Sequence, residues 1–223
     1  MAGVNPVMDE NTRRYYLDAM GIQCWELLPE NQHDAPVPES HDSEAAVTNH
    51  AGLEASIQSC TKCALHKTRT LAVAGRGRQS ASLMFVTLAP DESDEANVLF
   101  SKMLAAINIA IDDVYISSLL KCSVPANHPV SDTEIQACNT YLKQQLQLIR
   151  PELLVVLGEA AACRLLQKEL SMDESRAMNS ALSQQLDSVP LFFSYSAEEL
   201  LQQPENKRKA WADLQLLQKI IKE

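Results

Sequence analysis

The sequence predicts an α/β fold, a parallel sheet of four strands covered by helices on both faces. Two observations carry that prediction. Four short apolar runs, 82–88, 114–120, 153–157 and 190–195, are bounded by polar turns in the manner of buried parallel strands. The segments between them place apolar residues at helical spacing, and strands alternating with helices build a parallel sheet. A chain of 223 residues, 46% of them hydrophobic, is long enough for one well-buried domain and an appendage.

Composition narrows the setting. No segment approaches the roughly 18 unbroken apolar residues of a membrane span. The opening MAGVNPVMDENTRRYY has no apolar signal core, so a cytoplasmic address is expected. The net charge of −10 is uneven: residues 1–52 hold nine acids against Arg13 and Arg14, and the remainder 20 acids against 17 bases. Neither part has the excess of base expected of a strong phosphate-tracking protein.

Taken in order, residues 1–28 read as a partner-binding peptide. Asn11 or Thr12 can cap a short helix that gathers Tyr16, Leu17 and Met20 and ends at Gly21, with Ile22, Trp25 and Leu27 following as an apolar tail. Tyr15, Tyr16 and Trp25 are residue types that anchor interfaces. Residues 29–52 contain three prolines, five acids and no Lys or Arg, the composition of a disordered acidic linker. His33, His41 and His50 are read there as solvated residues. The folded domain is expected over 53–223, opening with Leu53 and Ile57 on one helical face.

From Ala55 to Pro90 there is no acid, while Lys62, Lys67, Arg69, Arg76 and Arg78 are present, a possible DNA-contacting patch. The first strand, 82–88, leads into acids 91–95 that suit the positive end of a helix over 96–107. The second strand follows at 114–120, then a helix over 132–149 stopped by Pro151. The third strand, 153–157, turns at Gly158 into a helix over 159–169. Residues 171–188 suggest a weak helix, 190–195 a fourth strand, and the chain is helical again from Asn206 with Trp211, Leu214, Leu217 and Ile221 inward. Gly75-Arg-Gly77 lacks the preceding strand of a phosphate-binding loop.

Six cysteines in a chain without a secretion signal point to metal or redox chemistry. Cys60 and Cys63 form C-x2-C, Cys122 follows after 58 residues and Cys138 after 15 more. A zinc ribbon wants two close pairs, and ferredoxin runs are more tightly packed. Spacing alone leaves open a metal site and a pair of buried thiols at Cys122 and Cys138.

Several motifs resemble the iron–sulfur (family 4) uracil-DNA glycosylases: Cys60-Thr-Lys-Cys63-Ala-Leu-His-Lys-Thr-Arg69-Thr70, Leu83-Met-Phe-Val86 with Ala89-Pro90, and Asp113-Val-Tyr-Ile116. Lys121-Cys122, Glu134 with Cys138, Pro151 through Gly158, and Trp211 with Asp213-Leu214 continue the likeness over roughly residues 53–217. The resemblance implies a three-layer α/β/α domain and a [4Fe–4S] cluster on Cys60, Cys63, Cys122 and Cys138. Cys24 and Cys163 match no ligand position.

The resemblance also exposes departures. Such an enzyme flips uracil from the duplex and stabilises the departing uracilate while water attacks the sugar. Where the family has the carboxylate of Gly-Glu-Ala-Pro-Gly, this chain has Leu88; the family asparagine after the second strand is Ser118, and the histidine of its His-Pro is Ser196. Phe100 is the candidate for the stacking aromatic, and Asp91 or Glu92 for a replacement carboxylate. A second resemblance, of Arg13 through Leu27, is to the psi subunit of the bacterial DNA polymerase III clamp loader, and rests on Leu17, Met20, Gly21, Ile22 and Trp25. Together they imply a non-catalytic, psi-like subunit in DNA replication. Its partners would be the clamp-loader collar and the chi subunit and, through chi, single-stranded DNA-binding protein, with weak DNA contact and no membrane. The alternative is a divergent family 4 uracil-DNA glycosylase of base excision repair.

Overall fold

Four parallel strands run through the centre of the computed structural model: β2 (Leu83–Thr87), β3 (Tyr115–Ser118), β4 (Leu153–Leu157) and β6 (Val189–Ser194). The model describes residues 49–90, 93–125 and 128–222. The sheet order is β1-β3-β2-β4-β6-β5, so the expected four-stranded parallel sheet gains two antiparallel edge strands of two residues each, β1 (Arg76–Gly77) and β5 (Gln185–Leu186). Central β2 pairs Phe85 with Ile116 on one side and with Val155 on the other. Its Leu83, Met84, Phe85 and Val86 are all buried, as a strand covered on both faces requires. The apolar runs were visible in sequence; the edge strands are too short to leave a periodic signal. Gly77 permits the first of them. It sits at φ +107°, and a Cβ there would meet the Val114 carbonyl oxygen at 2.0 Å.

The helices begin and end where their capping chemistry dictates. Helix α1 (His50–Gln58) is capped by the Asn49 side chain, so ordered structure starts before Leu53 and His50 belongs to a helix rather than to a linker. Ser93 caps α2 (Asp94–Ala106), with Asp94 and Glu95 in its first turn. Ser131 and Glu134 close a capping box on α3 (Asp132–Ile149), which ends on left-handed Arg150 just before Pro151. Gly158, at φ 97°, turns β4 into α4 (Glu159–Leu166).

The 171–188 segment contains α5 (Met172–Ala177), then a 3-10 turn and β5. Asn179 in that turn bonds both backbone groups of Phe193 at 2.7 Å, covering the part of the β6 edge that β5 does not reach. After β6 come α6 (Ala197–Gln202) and α7 (Lys207–Lys222).

Helix α7 buries Ala210, Asp213, Leu214 and Leu217, whereas Trp211 and Ile221, expected inward, are 44% and 40% exposed. The buried stripe is turned toward a carboxylate. Asp213 receives Arg176 Nε at 2.7 Å and Nη2 at 2.8 Å, and Ser194 Oγ at 2.9 Å. Burial pushes the Asp213 carboxyl above its usual range, against the pull of Arg176. That bidentate pair ties α5 and α7 to the end of β6. Removing one partner strands the other: Asp213→Ala is expected to cost about 3–5 kcal/mol in urea unfolding. A loss below about 1 kcal/mol would show that the pair holds nothing.

Candidate functional site at the strand ends and the cysteine corner

The chain passes from β2 to β3 on one side of the sheet and returns across β2 to β4 on the other. That reversal opens a crevice at the carboxyl ends of the parallel strands, where ligands of open α/β sheets bind. Leu88, Ser118 and Ser196 all lie at this edge: Leu88 one residue beyond β2, Ser118 at the end of β3 and Ser196 two residues beyond β6.

None of the three offers an acid or a base. Leu88 packs against the main core, and its carbonyl takes the Leu120 N–H at 2.9 Å. Ser118 is buried and donates its hydroxyl to the Leu120 carbonyl at 2.5 Å. Ser196 is the N-cap of α6: its Oγ accepts the Glu199 N–H at 3.2 Å, and its own N–H is taken by Glu199 Oε2 at 2.9 Å. The other carboxylate oxygen of Glu199 accepts the Glu159 N–H at 2.8 Å, joining the first turns of α6 and α4. This link was overlooked in the sequence, although Ser-x-x-Glu before an apolar run is a readable capping signal.

Phe100 does not serve as a stacking surface. It is buried on α2 in edge contact with Phe85, centroids 5.2 Å apart. Asp91 and Glu92 lie outside the described residues, as do Tyr15, Tyr16, Leu17, Met20, Gly21, Ile22, Trp25 and Leu27. A hollow of about 410 Å³ between α2 and α6 is lined by Asp94, Glu95, Val98, Leu99, Lys102 and Leu201, with none of the three strand-end residues.

The cysteines gather at another corner. Leu53, Ile57, Leu65, Leu120, Cys122, Cys138 and Tyr141 form a second buried cluster, with Cys60 and Cys63 packed against it. The long sequence gap is closed by backbone pairing. After the 3-10 turn Ala64–Lys67, the chain runs antiparallel to 121–123, with Val73 N bonded to Lys121 O at 2.7 Å and Ser123 N to Leu71 O at 2.9 Å. Ser123 Oγ accepts the N–H groups of Thr70 and Leu71. Cys138 faces this corner from α3.

Burial pushes the Cys138 thiol up to about 11, with the charges of Cys63 and Cys122 adding to it. Cys63 is raised by burial too, with contributions from Cys122 and Cys60. Among the described residues no three His, Cys, Asp or Glu side chains stand close enough for a single metal ion.

Beside them Lys121 is buried with its amine on Ser117 Oγ at 2.8 Å, Ser118 O at 2.5 Å and Gln145 Oε1 at 2.7 Å. Burial brings it down to about 7. No sequence signal marked this network, because a lysine is read as exposed.

The proposed DNA patch divides in the structure. Arg78 pairs with Asp113 at 3.0 Å, Arg76 bonds Asn97, and Lys62 lies over the Tyr141 ring at 5.4 Å. Arg69 turns inward to Cys122, and Lys67 is exposed.

Comparison with known proteins gives this geometry a family. The type-4 uracil-DNA glycosylase of Archaeoglobus fulgidus is 41% identical over 115 residues, 48% of this chain and 58% of that protein. Those of Saccharolobus solfataricus and Thermotoga maritima are 34% and 32% identical over 122 and 114 residues, 50% and 47% of this chain and 56% and 59% of theirs. The chain thus spans under three fifths of the length of these relatives. They are glycosylases by name, which overturns the expectation of a clamp-loader subunit; that expectation drew its specific support from the 13–27 peptide, outside the matched body. The uracil DNA glycosylase superfamily model matches residues 74–215, well over half the sequence, and the chain belongs to that superfamily.

Proposed function

We propose that this chain is a divergent uracil-DNA glycosylase of the type-4 kind, working in DNA base excision repair. What supports the reading most directly is the likeness to named type-4 enzymes, at up to 41% identity, across the body that forms the strand-end crevice. The substrate is a uracil flipped out of DNA, and the reaction cleaves its bond to the sugar as uracilate departs and water adds.

The three altered positions set the rate. Leu88 cannot orient water, Ser118 spends its hydroxyl on Leu120, and Ser196 spends its own on the α6 cap. Loss of one donor to a developing oxyanion costs on the order of 10²–10³ in rate. Turnover on uracil-containing single- and double-stranded DNA is therefore expected at least about 10²-fold below that of a type-4 enzyme with a histidine at position 196. It is expected to vanish in an Asp91→Ala, Glu92→Ala double variant, the remaining candidates for the water-orienting carboxylate. Ser196→His is expected to raise turnover while losing about 1 kcal/mol of helix capping. No excision by the wild type, with no preference for uracil over thymine in binding, would refute the assignment.

The cofactor we propose is a [4Fe–4S] cluster on Cys60, Cys63, Cys122 and Cys138. When bound, it supplies four iron–thiolate bonds that join the α1 corner to the sheet and α3. Anaerobic purification is expected to yield about four iron and four sulfide per chain, lost in Cys138→Ala. Zinc without iron would exclude the cluster.

A further inference from the structure

Arg69 occupies an unusual place for an arginine in an acid-poor stretch. The 3-10 turn after Cys63 carries it back, with its N–H on the Leu65 carbonyl at 2.8 Å, so that the guanidinium points inward. Nη2 donates to the Gln58 carbonyl at 2.6 Å, and Nη1 lies 3.4 Å from the Ile57 carbonyl and 3.3 Å from Cys122 Sγ. The two carbonyls are at the end of α1, where helical carbonyls lack intrahelical partners. Cys122 is 3% exposed. Among the described residues no carboxylate forms an ion pair with Arg69, and none occurs in the sequence from Ala55 to Pro90.

We infer that Arg69 tunes the cluster: it donates to the Cys122 thiolate, stabilises the more reduced cluster state and raises its midpoint potential. The inference rests on the cluster reading above. Four thiolates leave such a cluster anionic, and each electron it accepts adds one negative charge. A donor and positive charge on one ligand sulfur therefore favour the reduced form over the oxidised form, whichever one-electron couple is observed. The other known donors to these sulfurs are neutral backbone groups, Leu65 N–H to Cys63 and Lys121 N–H to Cys138. Arg69 alone among the described side chains brings a charge-assisted bond to a sulfur of the four. By the same forked geometry it clamps the end of α1, next to Cys60, against the segment that carries Cys122.

The rival role is purely structural: Arg69 satisfies the α1 carbonyls, and its approach to sulfur is incidental. The two roles differ in the potential. In a spectroelectrochemical titration of the full-length, iron-loaded protein, Arg69→Gln is expected to lower the reduced-to-oxidised ratio about tenfold at fixed potential. That is a shift of about 59 mV to the negative for one electron. Lys67→Gln, which removes a charge from the same surface without touching sulfur, is expected to shift it far less. Equal midpoints for the two variants would overturn the inference.

A measurement on the wild type covers the case in which Arg69→Gln fails to hold iron. With ¹⁵N-arginine incorporated, pulsed electron paramagnetic resonance of the paramagnetic cluster is expected to show ¹⁵N coupling. An iron-loaded wild type without that coupling overturns the role of Arg69 alone; a wild type without iron overturns the cluster reading with it.

Discussion

Double-sided pairing of β2 is the constraint on which the rest of this structure depends. Five residues, Leu83–Thr87, are held by β3 on one side and β4 on the other, in registers that leave Phe85 between Ile116 and Val155. Because both faces of β2 are buried, a slip in its register would break two ladders at once and misplace an apolar run with no solvent face to occupy. With β2 fixed, the carboxyl ends of β3, β4 and β6 are fixed beside it, and Leu88, Ser118 and Ser196 reach one edge from positions far apart in sequence. The three side chains there are an alkyl group and two hydroxyls, on ends that the backbone ladder holds together. A fold can keep the geometry of a site and lose its chemistry, since the ladder is made by backbone groups and the chemistry by side chains.

What the sequence made legible follows from the same division. The four parallel strands were readable because burial on both faces writes a continuous apolar run. Helix α3 was readable at both ends because a cap and a proline bracket it. Burial decided by polar partners was not readable. Asp213 turns α7 inward through Arg176 and Ser194, and a hydrophobic pattern places Trp211 there instead. The family resemblance made Phe100 the candidate stacking aromatic, while its packing on Phe85 makes it core. The five bases at 62–78 read alike in sequence; their partners, a ring, a thiol, an amide and a carboxylate, make them different residues. The cysteine corner was legible as residue types and illegible as a place, because a gap of 58 residues is closed by the pairing of 71–73 with 121–123.

Position 196 shows one side chain anchoring a junction between two helices. Serine there satisfies an orphan N–H of α6, and Glu199 returns the bond and reaches on to the Glu159 N–H of α4. Glu199 completes that junction, with one carboxylate oxygen on the Glu159 N–H at the start of α4.

The cysteine corner packs its thiols into and against a buried apolar cluster. Burial and the neighbouring cysteines raise the Cys63 and Cys138 thiols, and Arg69 stands beside Cys122. The acid-free stretch from Ala55 to Pro90 then has an internal explanation as well as an external one. Within it Arg69 is directed at Cys122, while Arg76 and Arg78 meet Asn97 and Asp113.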